Sequence, residues 1–273
     1  MLFCAFVCLL CLPLFLASNV SHPPATYWFQ DTTTNPRYHD EMLASIALNC
    51  SSSVSRHQLF QISNHHTGIH LRMYQLDVFY FVAIDVDESL VGAFTKGRCN
   101  ETLALTPATT TIDWTRSVDI VKTCVNHVAW RVWKSVEADF QASIESDLYK
   151  RNFVVTGHSL GGSIGALVAA HLIRQRPKCV YALVTYGSPP IANAVLYRWM
   201  TQHTRIKLFV NQGDPIPRLM PPVYHQPREL ELILLVDIAH AHNPTARKSH
   251  QLDTKQTLIV HHFTYFGMQR CVY

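Results

Sequence analysis

The segment 152–162 most constrains how this chain can fold. Phe153, Val154 and Val155 form a short apolar run that is typical of a buried parallel strand. The pattern G-x-S-x-G follows at once, with Ser159 at its centre. A strand, a tight turn and a helix in this order are the context of a nucleophile elbow. We therefore predict that Ser159 is a catalytic nucleophile, held in a strained turn that small neighbours permit.

The helix that follows supports the same interpretation. Residues 160–174 are rich in glycine, alanine and serine, which predicts a helix packed closely on the sheet. The free N–H groups and the dipole of a helix N-terminus stabilise a developing oxyanion, so we expect the backbone N–H of Leu160 to be one oxyanion donor. The alternative is a chance match in a Gly/Ser turn, and the flanking strand and helix patterns argue against it.

The composition excludes several classes of function. The chain has 273 residues, of which 48% are hydrophobic and 15% charged, as expected for one large α/β domain. A net charge of +4 without a basic run gives no reason to expect a nucleic-acid partner. No C-x-x-C pair occurs, and His65, His66 and His70 lack a carboxylate or cysteine partner, so we expect no metal site and no cofactor.

The first residues predict entry into the secretory pathway. Residues 1–18 are apolar and uncharged, which favours a signal peptide cleaved between Ala17 and Ser21; a retained anchor is the alternative. After cleavage we expect a secreted protein with no transmembrane span. Residues 19–37 read as an arm and residues 38–273 as a single domain.

Apolar patterns predict the elements of that domain. Strands alternate with helices, which indicates a mainly parallel sheet flanked by helices. Residues 51–70 are polar and predict a loop, and 76–84 and 89–94 predict consecutive strands. The stripe from Val125 to Leu148 predicts one long helix. Further elements are predicted as helices at 38–49 and 191–202 and strands at 180–186 and 206–210.

A serine nucleophile needs a base and an acid that orients the base. On this architecture both groups lie beyond strand ends, in the chain order Ser, Asp, His. Asp214 directly follows the predicted strand 206–210 and is stiffened by nearby prolines, so we predict that it is the acid. Chain order alone leaves five candidates for the base, namely His240, His242, His250, His261 and His262.

Four segments resemble the secreted fungal-type class 3 triacylglycerol lipase family. They are the elbow at 155–162, the strand end at 186–189, the aspartate loop at 211–222 and the His-x-x-Tyr segment at 262–265. The resemblance selects His262 over His261 as the base. It also implies an α/β-hydrolase fold with a lid over the site and a substrate at a lipid–water interface.

The chain departs from this family after residues 90–94, where members normally carry Phe-Arg-Gly-Thr or Phe-Arg-Gly-Ser. Here Phe94 is followed by a longer loop, in which Gly97 is our candidate for the other oxyanion donor. Because one donor is worth about 10²–10³ in rate, the altered loop predicts a slower or differently specific enzyme. Residues 107–120, with Ile112 and Trp114, resemble the lid; an ordinary loop with a packed tryptophan is the alternative.

The resemblance also implies disulfides. Cys4, Cys8 and Cys11 leave with the signal peptide. The family commonly ties its N-terminal helix to its C-terminal segment, and Cys50 and Cys271 occupy the matching places. Cys99 and Cys124 flank the lid-like segment and are expected to pair, which leaves Cys179 as a free thiol.

Two classes of function remain after these steps. The first is a secreted, monomeric carboxylic-ester hydrolase that acts on acylglycerols through an acyl-enzyme. Phospholipid, galactolipid and feruloyl esters remain alternative substrates. The second class is a non-catalytic lipid-binding relative, which the intact set of Ser159, Asp214 and His262 disfavours and the altered loop favours.

Overall fold

The computed structural model describes residues 57–76, 79–104, 122–145, 152–211, 214–224 and 231–234. Several predictions lie outside these residues. They concern the signal peptide, the arm, the helix at 38–49, the Cys50–Cys271 bridge, the lid residues Ile112 and Trp114, and the candidate base His262 with its four alternatives.

The described residues form a seven-stranded sheet in the order β1-β2-β3-β6-β7-β8-β9. Strands β1 and β2 pair antiparallel, as do β2 and β3, and every pairing from β3 to β9 is parallel. The mainly parallel sheet predicted from the sequence is therefore confirmed. The strand bounds are β1 Gln58–Asn64, β2 Ile69–Leu76, β3 Phe79–Val86, β6 Asn152–His158, β7 Val180–Tyr186, β8 Arg205–Asn211 and β9 Glu231–Leu234.

The helices place a large apolar core on one face of this sheet. Trp133, Phe140 and Ile164 pack there with the inward side chains of the strands. A smaller buried cluster, which includes Phe81, Val184 and Phe209, lies on alternate positions of the same strands and hence on the opposite face. The helix bounds are α1 Val91–Lys96, α2 His127–Lys134, α3 Glu137–Ile144, α4 Ser159–Gln175 and α5 Ala194–Thr201.

The loop predicted at 51–70 is wrong for its described part, which contains β1 and the start of β2. The turn between these strands is fixed locally, because the Asn64 carboxamide accepts hydrogen bonds from the backbone N–H of His66 at 3.0 Å and of Thr67 at 3.3 Å. Gly68 then adopts a φ of 59°, a conformation that glycine takes without strain. The composition of β1 is polar because one of its faces is exposed, and the segment was therefore predicted as a loop.

The strand predicted at 89–94 is also wrong. A 3₁₀ turn, Glu88–Leu90, runs directly into α1. The Asp87 carboxylate starts this helical segment by accepting from the backbone N–H of Ser89 at 2.8 Å. A capping side chain therefore overrides the apolar, strand-like composition of the segment.

The long helix predicted between Val125 and Leu148 is divided. Val125 lies in a strand, β5 (Lys122–Asn126). Asn126 ends this strand and caps α2 by accepting from the N–H groups of Val128 and Ala129. The chain turns again between α2 and α3. The stripe nevertheless marks core residues, because Val132, Val136, Phe140 and Ile144 are all buried.

A separate two-stranded antiparallel sheet is formed by β4, Cys99–Ala104, and β5, Lys122–Asn126. The disulfide between Cys99 and Cys124 joins these two strands, which confirms the predicted pairing. Cys179 is a buried free thiol, as predicted.

His171, on α4, packs against Trp133 and Phe140 and is expected to make the stability of the fold sensitive to acid. Burial lowers the pKa of this histidine from 6.5 to about 4, and the charges of Arg174 and Lys134 act in the same direction. The Glu137 carboxylate lies 3.2 Å from His171 Nδ1 and opposes this shift, but desolvation of the ring dominates.

The unfolded chain binds more protons than the folded one between these pKa values, so stability falls as the pH falls from about 6.5 to about 4. At about 1.4 kcal/mol per pKa unit, we expect a loss of up to about 3 kcal/mol in the free energy of unfolding. His171→Gln should flatten this dependence, whereas His66→Gln, on an exposed turn, should leave it unchanged. Urea unfolding at pH 7 and pH 4 checks both variants, and an equally steep dependence in His171→Gln would contradict the assignment.

Candidate active site

The end of β6 and the start of α4 form a sharp turn at Ser159. Strand β6 ends at His158, and Ser159 is the first residue of the helix. Its φ of 51° lies in the left-handed region, where residues other than glycine are strained. The side chain is only 2% exposed. The strain predicted for the elbow is thus observed at the central serine of the motif.

Glycines on both sides of Ser159 allow the backbones to approach closely. A methyl group at Gly161 would overlap the carbonyl oxygen of Ile84 in β3. A methyl group at Gly157 would overlap the backbone of Gly161. The motif therefore requires glycine at these positions so that the turn fits against the adjacent strand.

The serine hydroxyl is available for chemistry. Ser159 Oγ is buried and has no hydrogen-bond partner among the described residues. It stands at the N-terminus of α4, where the first backbone N–H groups have no partner within the helix. Leu160, the predicted oxyanion donor, is the second residue of this helix and is buried. The positive end of the helix dipole therefore faces the region around Oγ.

Asp214 follows β8, two strands along the sheet from β6. Because β6, β7 and β8 are parallel, Ser159 and Asp214 lie at the same edge of the sheet, with a strand separation of roughly 10 Å. Asp214 is 4% exposed, and its carboxylate accepts a hydrogen bond from the backbone N–H of Ile216 at 2.9 Å. The structure thus brings two of the three predicted triad residues to one edge.

The segment after Asp214 is held by its own hydrogen bonds. A 3₁₀ turn, Ile216–Arg218, is closed by bonds from Arg218 N–H to the Pro215 carbonyl at 2.9 Å and from Leu219 N–H to the Ile216 carbonyl at 3.1 Å. The Tyr224 hydroxyl donates to the Gly97 carbonyl at 2.9 Å. Hydrogen bonds therefore hold both ends of the segment 215–224.

Gly97 does not occupy the context assumed for an oxyanion donor. It ends the helix α1 instead of following a strand, and its N–H donates to the Phe94 carbonyl at 3.0 Å. A side chain at this position would overlap the carboxamide of Asn126. To serve as the predicted donor, Gly97 would have to break its hydrogen bond to Phe94.

The strand beside the elbow is β3, in which Ile84 lies opposite Gly157. The N–H of Asp87 donates to the Gly68 carbonyl at 2.8 Å and so points towards β2. Because successive residues of a strand direct their backbone groups to opposite edges, the N–H of Val86 points towards β6, which ends at His158. Sequence reasoning did not consider Val86 as a candidate donor, and the parallel pairing of residues 79–84 with the elbow strand is the signal that points to it.

A partly buried ion pair lies at the same end of β3. Arg72, on β2, is almost fully buried and its guanidinium pairs with the Asp85 carboxylate. The pair compensates a negative charge close to the elbow, where an unpaired carboxylate would oppose a developing oxyanion.

The described residues contain no group of three or more His, Cys, Asp or Glu side chains that could hold a metal ion. His65, His66 and His70 were considered as metal ligands in the sequence. His70 contacts the Ser63 hydroxyl at 2.9 Å through Nδ1, and its ring lies against that of His65. No helix in the described part of the chain is long and apolar enough to cross a membrane.

Comparison with known proteins identifies relatives of this site. Residues 95–224 match the family model Lipase (class 3). The chain is 35% identical over 114 residues to the secreted mono- and diacylglycerol lipase 1 of Fusarium solani. This alignment covers 40% of this chain and 34% of that protein. It is 31% identical over 93 residues to the secreted mono- and diacylglycerol lipase A of Penicillium cyclopium, covering 33% of this chain and 30% of that protein. The matches span about a third of the length of these relatives.

Solved structures show the same architecture. Lipase II from Rhizopus niveus matches with a TM-score of 0.55 and 14% identity over 90% of this chain and 95% of that chain. The lipase of Rhizopus microsporus var. chinensis matches with a TM-score of 0.52 and 17% identity over 90% of this chain and 87% of that chain. Residues 95–224 are therefore similar to the class 3 lipase family, and the sheet that they help to build has the α/β-hydrolase fold.

Proposed function

We propose that this protein is a serine ester hydrolase that cleaves acylglycerols at a lipid–water interface through an acyl-enzyme. The observation that carries the proposal is the strained Ser159, whose buried Oγ has no hydrogen-bond partner among the described residues. A left-handed serine at the junction of a strand and a helix is costly, and such strain is found where the geometry serves a reaction.

In the proposed reaction, Ser159 Oγ attacks the acyl carbon while His262 removes the hydroxyl proton. His262 then protonates the leaving alcohol, and a water molecule, activated by the same histidine, releases the acid from the enzyme. Asp214 orients His262 and stabilises its cationic form. The location of Asp214 at the same sheet edge as Ser159 supports this division of roles.

Two backbone N–H groups are proposed to stabilise the oxyanion. Leu160 offers the first from the N-terminus of α4. For the second we favour Val86, because its N–H faces the elbow, over the sequence-based candidate Gly97, whose N–H is bonded to Phe94. The partly buried Arg72–Asp85 pair supports this choice because it compensates the carboxylate next to Val86.

Acylglycerol is the favoured substrate because the similar proteins of Fusarium solani and Penicillium cyclopium are named mono- and diacylglycerol lipases. These relatives are also named as secreted, which supports the extracellular location that we infer from the predicted signal peptide. We further propose that the mature chain acts as a monomer and that residues 107–120, with Ile112 and Trp114, form its lid.

A panel of esters tests the proposal. Purified mature protein should hydrolyse mono-, di- or triacylglycerol emulsions and be labelled once per chain by a fluorophosphonate probe. Phospholipid, galactolipid and feruloyl esters in the same panel separate the alternative substrates. Lipid binding without turnover of any ester, and without labelling, would instead support the non-catalytic lipid-binding alternative.

A further inference from the structure

The large hydrophobic side chains that are exposed in the described part of the chain fall in two places. Leu59, 47% exposed, lies on the edge strand β1. Leu219, 37% exposed, and Val223, 48% exposed, both lie in the loop that carries Asp214. Pro222, between them, is exposed as well. We call residues 218–223 the aspartate-loop rim, and its apolar side chains lie close in sequence beside the catalytic acid.

The rim is held in one conformation. The 3₁₀ turn Ile216–Arg218 precedes it, and Tyr224 follows it with a backbone bond to the Pro221 carbonyl at 2.9 Å. The Tyr224 side chain is anchored on the Gly97 carbonyl. Because the backbone is already ordered, inserting Leu219 and Val223 into an apolar phase costs little further conformational entropy.

The exposed charged residues within 91–99 and 215–224 are all cations. Arg218 in the rim is exposed, and so are Lys96 and Arg98, the neighbours of the Gly97 to which Tyr224 is bonded. Residues 91–99 and 215–224 contain no aspartate or glutamate, and Asp214 is buried. Apolar side chains bordered by these cations match an apolar phase covered by negative charge.

We infer that the aspartate-loop rim is a fixed docking surface for a negatively charged lipid–water interface. The inference rests on the proposed function, in which the substrate is a lipid aggregate and the released fatty acids supply negative charge to its surface. Leu219 and Val223 enter the acyl layer, while Arg218, Lys96 and Arg98 lie at the head groups. The surface would hold the edge of the sheet that carries Ser159 against the lipid.

The size of the effect follows from the exposed areas. Each of the two side chains transfers roughly half of its surface, which is worth about tenfold in binding, since full burial of such a side chain corresponds to about 1.5–3 kcal/mol. Replacing both by aspartate also places two anions at an anionic surface. We therefore expect at least about 100-fold weaker partitioning onto anionic vesicles for Leu219→Asp/Val223→Asp.

Vesicle partitioning tests the docking surface without turnover. In the full-length mature chain carrying Ser159→Ala, binding to phosphatidylglycerol vesicles is compared with and without Leu219→Asp/Val223→Asp. Leu59→Asp is the matched control, because Leu59 is equally exposed but lies on the edge strand; it should change partitioning less than about twofold. Arg218→Gln/Lys96→Gln should weaken binding to these vesicles and reduce its salt dependence, with little effect on phosphatidylcholine vesicles.

Each outcome decides for or against the surface. Weak vesicle binding of Leu219→Asp/Val223→Asp, together with parent-like binding of Leu59→Asp, supports the docking surface. Both variants must melt at the same temperature as the parent for this comparison to hold. If the aspartate variant fails to fold, Leu219→Ser/Val223→Ser replaces it with the same expected direction. Unchanged partitioning of the rim variants, or equal loss in Leu59→Asp, overturns the inference. Hydrolysis of a soluble ester by the parent enzyme is measured separately, so that failure of the proposed function is distinguishable.

Discussion

Ser159→Ala is expected to lower the turnover of every ester substrate by about 10⁶-fold while the protein remains folded. The substitution removes the attacking oxygen, so no acyl-enzyme can form and fluorophosphonate labelling should vanish. Stability should change by less than about 1 kcal/mol, because Ser159 Oγ has no hydrogen-bond partner among the described residues. Alanine keeps the strained backbone conformation at no greater steric cost than serine. The measurements are kcat on an emulsified acylglycerol, active-site labelling and a thermal melt.

Ser163→Ala is the matched control for this experiment. Ser163 lies four residues further along α4, is buried and donates to the Pro189 carbonyl. Its removal should cost stability through the lost hydrogen bond but retain labelling and most of the turnover. Hydrolysis or labelling that persists in Ser159→Ala would refute Ser159 as the nucleophile.

Local features of the sequence were sufficient to predict the elbow and the parallel strands. The elbow depends on residues next to one another, and the glycines at 157 and 161 are required by contacts that any such turn makes. The buried parallel strands β6, β7 and β8 are short apolar runs, which composition identifies directly. Chain order also pointed to Asp214, which lies at the same edge of the sheet as Ser159.

The errors arose where one side chain determined the element. The carboxylate of Asp87 turns the segment 88–96 into helix, and the carboxamide of Asn126 divides a continuous apolar stripe into a strand and a helix. Such caps involve one or two hydrogen bonds and leave no periodic signal. The strand β1 was missed because one of its faces is exposed and its composition is polar.

The proposed second oxyanion donor, Val86, follows from pairing between distant strands. Matching Phe94 to a family motif directed attention to Gly97, which instead ends a helix. The strand that touches the elbow is β3, because Ile84 pairs with Gly157 across more than seventy residues of chain. Alternate residues of β3 direct their N–H groups to opposite neighbouring strands, so the N–H that faces Ser159 depends on how β3 is aligned with β6. This alignment cannot be derived from the sequence alone.

Asp214→Asn is expected to lower kcat by about 10⁴-fold while the fold is retained, a loss typical of triads whose acid becomes a neutral amide. The Asn oxygen can still accept the hydrogen bond from the backbone N–H of Ile216, which the Asp214 Oδ1 accepts at 2.9 Å. What the amide cannot do is stabilise the cationic histidine or hold it in the tautomer that accepts the serine proton. The thermal melt should therefore stay close to that of the parent, and the loss should lie in the chemical step.

Two comparisons separate this role from a structural one. Asp139→Asn removes the same charge from an exposed position on α3 and should leave kcat unchanged. Adding Asp214→Asn to Ser159→Ala should cost almost nothing more, because residues of one triad act as a unit and their separate effects do not add. If the two losses multiply instead, Asp214 acts on binding or folding independently of the nucleophile, and the acid must be sought elsewhere in the chain. A small loss in the single variant would lead to the same conclusion, because a carboxylate that orients the base cannot be replaced by an amide without a large decrease in rate.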